Sequence, residues 1–244
     1  MFLLKLLGII FGLFLLYALF LLVCSLFVNP KKEYEEHSSF YRALLNGATA
    51  VAIKLMRIRI HTSGMEKVPE NTKKLLFVSN HRSNFDPIIT WHIFKKWQPA
   101  FVSKTSNFKI PIFGRFISKC CFMAIDRENP RNALKTILKA AELLKKGEVS
   151  IGIYPEGTRS KNCELLPFHN GVFKIAQKAN GNIVVLAVSG TEKIHKNFPL
   201  YHTDVHLDIL EVLSADTVKN SKTDMLGERI REELENHLSK AQEE

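Results

Sequence analysis

The chain has 244 residues, 46% of them hydrophobic and 24% charged, which suits one domain of ordinary size with a packed core and leaves no room for a multidomain machine. The same figures exclude a largely disordered or collagen-like chain. Lys and Arg outnumber Asp and Glu by 34 to 24, a formal net charge of +10 that favours anionic partners such as lipid headgroups, phosphates, acidic carrier proteins or nucleic acid without choosing among them.

Leu6 to Val28 carries no charge, and at roughly 1.5 Å per residue a helix over that span reaches about 34 Å, enough to cross a bilayer. A cleaved signal peptide is the competing reading. It would have a shorter apolar region followed by small residues at a cleavage site, which Ser25-Leu26-Phe27-Val28-Asn29-Pro30 does not supply. Lys31, Lys32, Arg42, Lys54, Arg57 and Arg59 follow, diluted by Glu33, Glu35 and Glu36, so the positive-inside tendency places the C-terminal side in the cytoplasm. In Phe40 to Met56, Tyr41, Leu44, Leu45, Ala48, Val51, Ala52 and Leu55 recur at three-and-four spacing. That segment reads as a helix lying on the membrane or as an ordinary core helix.

From residue 72 short apolar strands alternate with helices. Leu75 to Val78 reads as a buried strand, and a helix follows from Asp86, with Asp86 at the cap and Pro87 at the first helical position, to about Lys96. Phe101-Val102 and the run Phe122 to Ile125 predict two more apolar segments. Asn129 then caps, and Pro130 starts, a helix whose Leu134, Ile137, Leu138, Ala141 and Leu144 share one face and which Gly147 ends. Val149 to Tyr154, Ile183 to Val188 and the alternating Val205, Leu207 and Ile209 are further strands, with helices over Phe168 to Ala179 and Asp224 to Lys240. The order is α/β: a mixed sheet flanked by helices behind an N-terminal apolar membrane helix. Cys24 lies in the apolar run, Cys120 and Cys121 are adjacent and Cys163 stands alone, so no C-x-x-C pair or disulfide framework is visible and all four read as reduced and structural.

Two constellations carry chemistry. Asn80-His81-Arg82-Ser83-Asn84-Phe85-Asp86 places an imidazole at a strand end and a carboxylate five residues on, at a helix start. A carboxylate bonded to one ring nitrogen fixes the tautomer and raises the basicity of the other, which can then take a proton from a hydroxyl. The bland alternative makes Asp86 a helix cap and His81 a loop hydrogen-bonder. Tyr154-Pro155-Glu156-Gly157-Thr158-Arg159-Ser160 follows a strand directly, and strand ends in α/β sheets commonly line ligand sites. Glycine permits close approach of the backbone, threonine and amides donate, and the arginine fork matches a phosphate, although out of context such a sequence is usually only a turn.

Together, the blocks NHRSNFD, FMAIDR and YPEGTRS, in this order behind an apolar N-terminus, resemble the first three motifs of the glycerolipid acyltransferases, most closely the bacterial 1-acyl-glycerol-3-phosphate acyltransferases, over roughly residues 70 to 190. The resemblance implies a glycerol-3-phosphate acyltransferase-like fold, with residues 1–60 as membrane-anchoring helices and 61–244 as the catalytic domain. It also implies transfer of an acyl chain from acyl-CoA or an acyl carrier protein to the sn-2 hydroxyl of lysophosphatidate, giving phosphatidate in phospholipid biosynthesis. His81 would be the general base and Asp86 its orienting partner, with no acyl-enzyme. Arg159 and Arg127 would hold the acceptor phosphate, Glu156, Gly157 and Thr158 would shape that pocket, and Lys104, in a segment that also resembles the family, would be a further phosphate ligand. Plainer readings make Lys104 a solvated lysine and Arg127 part of a surface cluster with Asp126 and Glu128.

One departure concerns the family's fourth motif, whose strand proline falls where this chain has Val185; acyl-donor or acceptor selection is what it bears on. No cofactor and no metal are expected, since H-E-x-x-H and zinc spacings are missing, and a serine hydrolase lacks its G-x-S-x-G turn. The expected partners are the phospholipid bilayer, the lysolipid and the thioester carrier, not nucleic acid, with the protein anchored to a membrane, the inner membrane if bacterial. The rival enzyme acylates another lysolipid in remodelling, or a lyso-amino lipid. A more distant rival is a non-catalytic, membrane-tethered lipid-binding module.

Overall fold

The computed structural model describes residues 1–243. Two helices, α1 (Phe2–Leu26) and α2 (Ser39–Leu55), lead into β1 (Ile58–Ser63), β2 (Leu75–Ser79), α3 (Asp86–Ile93), β3 (Pro99–Lys104), α4 (Phe113–Lys119), β4 (Met123–Ile125) and α5 (Pro130–Lys146). Then come β5 (Ser150–Ile153), α6 (Lys174–Ala179), β6 (Asn182–Ser189), α7 (Ile194–Asn197), β7 (Thr203–Leu213), α8 (Ala215–Asn220) and α9 (Thr223–Glu243).

The strands form one sheet in the order β1-β7-β6-β2-β5-β3-β4. Neighbours from β6 through β2, β5 and β3 to β4 all pair in parallel, β7 runs antiparallel to β6, and β1 is parallel to β7. This is the mixed, helix-flanked α/β sheet that the sequence predicts. Strands buried on both faces need apolar residues at every position, which is why β2 and β6 read as unbroken hydrophobic runs. Leu76, Val78, Ile183, Val185 and Ala187 pack on the α5, α6, α8 and α9 side, whereas Leu75, Phe77, Val184, Leu186 and Val188 pack with Ile53, Ile89, Phe94 and Ile194 on the other.

Helix ends follow local chemistry where the sequence supplies it. The Asn129 side chain accepts from the amides of Arg131 and Asn132, Pro130 opens α5, and Gly147 closes it in the left-handed region at φ 69°. Four elements were not expected from sequence: β1, α4, α8 and α7, the last only four residues long. In β1 only Ile58 is buried, although Ile58 and Ile60 alternate with Arg59 and His61, so a short strand signal went unread; this edge strand runs across the division drawn at residue 60. α4 and α8 are too short to establish a period. Two boundaries also differ. α3 stops at Ile93, and the helix expected from Phe168 begins as a 3-10 turn at Asn170–Phe173 that becomes α-helical only over Lys174–Ala179.

α1 is long and apolar enough to cross a membrane by length and composition, and its flanks are exposed up to its last turn. There Cys24 and Val28 join a buried cluster with Tyr41 and Leu45 of α2, Trp91 of α3, Phe101 of β3 and Phe116 of α4. Hydrogen bonds lock this junction: the Tyr41 hydroxyl donates to the Cys24 carbonyl at 2.9 Å and Arg115 to the Ser25 carbonyl at 2.9 Å. α2 packs into the core along one side only. Tyr41, Arg42, Leu45, Thr49 and Ile53 are buried on its inner side, while Phe40, Val51 and Leu55 remain exposed.

All four cysteines are free, and burial pushes the Cys120 and Cys121 thiols up to about 12. Cys163 is only partly buried. Mass spectrometry after brief alkylation near neutral pH should therefore find Cys163 modified well ahead of Cys120 and Cys121, which react only after denaturation. Equal labelling of all three would contradict the packing of the β3–α4 region.

Candidate active site

Five parallel strands end on one edge of the sheet, and each delivers a polar group there. In spatial order β6 leads to Thr191, β2 to His81, β5 to Tyr154 through Arg159, β3 to Ser103 and Lys104, and β4 to Arg127. The carboxyl edge of parallel strands is where connecting loops diverge and leave space for a ligand. A cavity of about 580 Å³ occupies this position; His81, Ser103, Lys104, Arg127, Thr158 and Arg159 line it together with Trp91, Phe101, Ile117, Phe122 and Tyr154.

The buried carboxylate of Asp86 organises the polar centre. Oδ2 accepts from His81 Nδ1 at 2.7 Å and from the amides of Arg82 and Ser83, each at 2.7 Å, while Oδ1 accepts from the hydroxyl of the buried Thr191. The Asp86 side chain is 0% exposed and that of His81 15%. An ionised carboxylate only accepts, so His81 Nδ1 carries the proton and the lone pair lies on Nε2, on a side chain that reaches the cavity wall. The expected capping role for Asp86 is corrected here. Phe85 occupies the cap position, Asp86 is the first helical residue, and its bonds go to the preceding loop.

A second buried carboxylate sets the backbone of the same loop. Glu156, 3% exposed, accepts from the His81 amide at 2.6 Å and from the Leu166 amide at 3.0 Å, and the Ser160 amide donates to the His81 carbonyl at 2.8 Å. Burial raises the Glu156 carboxyl above its ordinary value despite these bonds. The β5 loop is thus tied to both backbone polar groups of His81. Glu156 and Gly157 lie behind the cavity wall, not on it. Gly157 turns the chain at φ 67°, where a Cβ would meet the His169 ring at 3.0 Å. The Tyr154 ring stacks on His81 with centroids 4.3 Å apart and 20° between planes, fixing the imidazole from one face. Burial, and then the Asp86 charge, hold the Tyr154 phenol well above its usual range, so it stays neutral.

The structure brings the three cationic candidates together. Lys104, Arg127 and Arg159 face one cavity, and none of the three forms an ion pair among the described residues. Arg127 is not absorbed by its acidic neighbours: Asp126 accepts from Asn132 at 3.1 Å and from the Glu128 amide at 3.2 Å. Desolvation pulls Arg127 below the ordinary arginine value, which leaves it cationic at neutral pH. Val185 is fully buried, and the pairing of β6 with β7 shifts register between Val185 and Leu186.

Sequence reasoning did not find Thr191 or Tyr154 as site residues, nor the aromatic wall. Tyr154 stood inside a motif and adjoined the glycine turn, which was a usable signal. Thr191 lies 105 residues beyond Asp86 and follows an apolar strand, and only the sheet order reveals its position.

Known proteins show the same arrangement of sequence. A family model described as Acyltransferase matches residues 59–189. A chloroplastic 1-acyl-sn-glycerol-3-phosphate acyltransferase of Brassica napus is 33% identical over 174 residues, covering 70% of this chain and 48% of the relative. The 1-acyl-sn-glycerol-3-phosphate acyltransferase of Escherichia coli is 35% identical over 129 residues, 52% of each chain. The chain thus spans about half the length of curated relatives that it matches. The crystal structure of a 1-acyl-sn-glycerophosphate acyltransferase from Thermotoga maritima superposes with a TM-score of 0.69 at 21% identity, over 93% of this chain and 89% of that one, a likeness of fold.

Asp86→Asn keeps the shape of the side chain but removes the charge that binds four donors. Chemical denaturation should show a loss of about 2 kcal/mol, the scale for weakening buried charge-assisted hydrogen bonds. Unchanged stability would mean that these bonds do not hold the loop.

Proposed function

Because the chain belongs to the acyltransferase family, we propose that it transfers an acyl chain from a thioester, acyl-CoA or an acyl carrier protein, to the free sn-2 hydroxyl of 1-acyl-glycerol 3-phosphate. The observation that carries this reading is the union, in one cavity, of an imidazole oriented by a buried carboxylate, unpaired cations and an aromatic, apolar wall. A lysophosphatidate has a hydroxyl to be deprotonated, a phosphate to be held and a tail to be buried, and the relatives carry names for that reaction.

In this mechanism Nε2 of His81 removes the hydroxyl proton as the oxygen attacks the thioester carbonyl carbon. Asp86 stabilises the resulting imidazolium through Nδ1. The tetrahedral intermediate collapses with cleavage of the carbon–sulfur bond, and the departing sulfur takes the proton from the imidazolium, so ester and free thiol form and His81 returns neutral. Arg159, Arg127 and Lys104 hold the acceptor phosphate, with Thr158 as a hydroxyl donor. Glu156 and Gly157 act at one remove by fixing the loops.

The membrane fits the substrates. Burying each methylene is worth about 0.8 kcal/mol, so acylated molecules reside in the bilayer. α1 would hold the cavity beside them, with the catalytic domain on the cytoplasmic side by the distribution of basic residues.

Purified His81→Ala should lose thioester-dependent conversion of lysophosphatidate to phosphatidate by at least about a hundredfold, the low end of general-base contributions, while keeping its cooperative unfolding. Substantial retained turnover would exclude His81 as the base. Arg159→Ala should raise the acceptor KM more than it lowers kcat, and an unchanged KM would remove Arg159 from the phosphate site. A panel of lysolipids in the same assay distinguishes the phosphate monoester from other acceptors: lack of preference for it would defeat the assignment.

A further inference from the structure

Arg42 is 4% exposed, yet no carboxylate pairs with it among the described residues. Its guanidinium donates to the Pro99 carbonyl at 3.0 Å and to the Cys120 carbonyl at 3.2 Å, and lies 4.6 Å from the centroid of the Trp91 ring. A buried cation without an anion is costly to desolvate, and two carbonyls and one indole face are what compensates it here. Burial accordingly draws the group below the ordinary arginine value.

The three contacts are with three different parts of the cavity. Trp91 lies on α3, the helix opened by Asp86, and is itself part of the wall. Pro99 begins β3, whose Phe101 to Lys104 line the cavity, and Cys120 follows α4, which contributes Phe113 and Ile117. Arg42 itself comes from α2, and Leu45 and Thr49, at the same helical face by their spacing, also reach the wall. Across that wall a row of rings runs from the catalytic imidazole to Arg42. Tyr154 lies 4.3 Å from His81, Phe101 6.3 Å from Tyr154, Phe122 5.4 Å from Phe101 and Trp91 5.5 Å from Phe122.

We propose that Arg42 is a positioning residue that pins α2 to the apolar wall of the cavity, and through that wall sets how well a long lipid tail is accommodated. The inference rests on reading the cavity as the site of lysolipid acylation. It adds a residue outside all three sequence motifs. A forked cation is called for because one group must reach two carbonyls while sitting over an indole ring, and the rigid guanidinium presents several donors at fixed spacing where an ammonium presents a single centre.

The test uses the purified full chain in detergent with acyl-CoA as donor, and compares lysophosphatidates bearing six-carbon and sixteen-carbon tails. In Arg42→Met, kcat/KM for the long tail relative to the short one should fall about tenfold, through KM for the long tail. Arg42→Lys should shift the ratio in the same direction by a smaller factor. Equal loss with both tails, or an unchanged ratio, overturns the proposal, because a merely structural lesion would not discriminate between tails. If Arg42→Met lacks a cooperative thermal transition, Arg42→Lys is judged by the same ratio. A parent protein that acylates neither lysophosphatidate overturns the reaction itself, whereas an active parent whose variants keep the parental ratio overturns only the role of Arg42.

Discussion

The carboxylate of Asp86 is the constraint from which the rest of the site follows. Buried beyond reach of water, it must be satisfied by protein donors, and it finds them in the imidazole of His81, two loop amides and the Thr191 hydroxyl. Those partners come from the loops that follow two neighbouring strands, β2 and β6, while the carboxylate itself sits in the first turn of α3. One charge therefore fixes the ring's tautomer, the loop's path and the spacing of two strand ends at once. Glu156 repeats the device one strand over, acting on the backbone of His81 while Asp86 acts on its ring. Chemistry and fold are hard to separate at such a point.

The cavity joins two kinds of surface that seldom meet in a water-soluble site. Cations stand at the ends of β3, β4 and β5, and an aromatic wall extends to the cluster that also receives the last turn of α1. A substrate with a charged head and an apolar tail would match this gradient under the proposed reading. The junction of α1 with α2 and α4 is bonded through Tyr41 and Arg115, so the apolar helix is attached to the scaffold that builds the site.

Much of this was legible in the sequence because the decisive signals are local. Asn129-Pro130 and Gly147 fix the ends of α5, unbroken apolar runs mark the doubly buried β2 and β6, and the His81–Asp86 spacing puts ring and carboxylate on either side of one tight loop. What escaped depends on topology. The edge strand β1 offers only the short alternation of Ile58 and Ile60 with Arg59 and His61, and Thr191 meets Asp86 only because β6 lies next to β2. Asp86 before Pro87 has the sequence of a helix cap, but the competing loop amides and imidazole take its oxygens instead. How Glu156 shapes the pocket was not legible, since burial and two amide bonds turn it inward onto the loop backbones.

The tautomer of His81 is the most direct measure of the central claim. Nitrogen-15 chemical shifts of the labelled imidazole, recorded on the folded protein with the ring neutral, should report a protonated Nδ1 and a bare Nε2, as an Asp86 acceptor demands. A ring carrying its proton on Nε2 would have no lone pair for the substrate hydroxyl, and the account would fail.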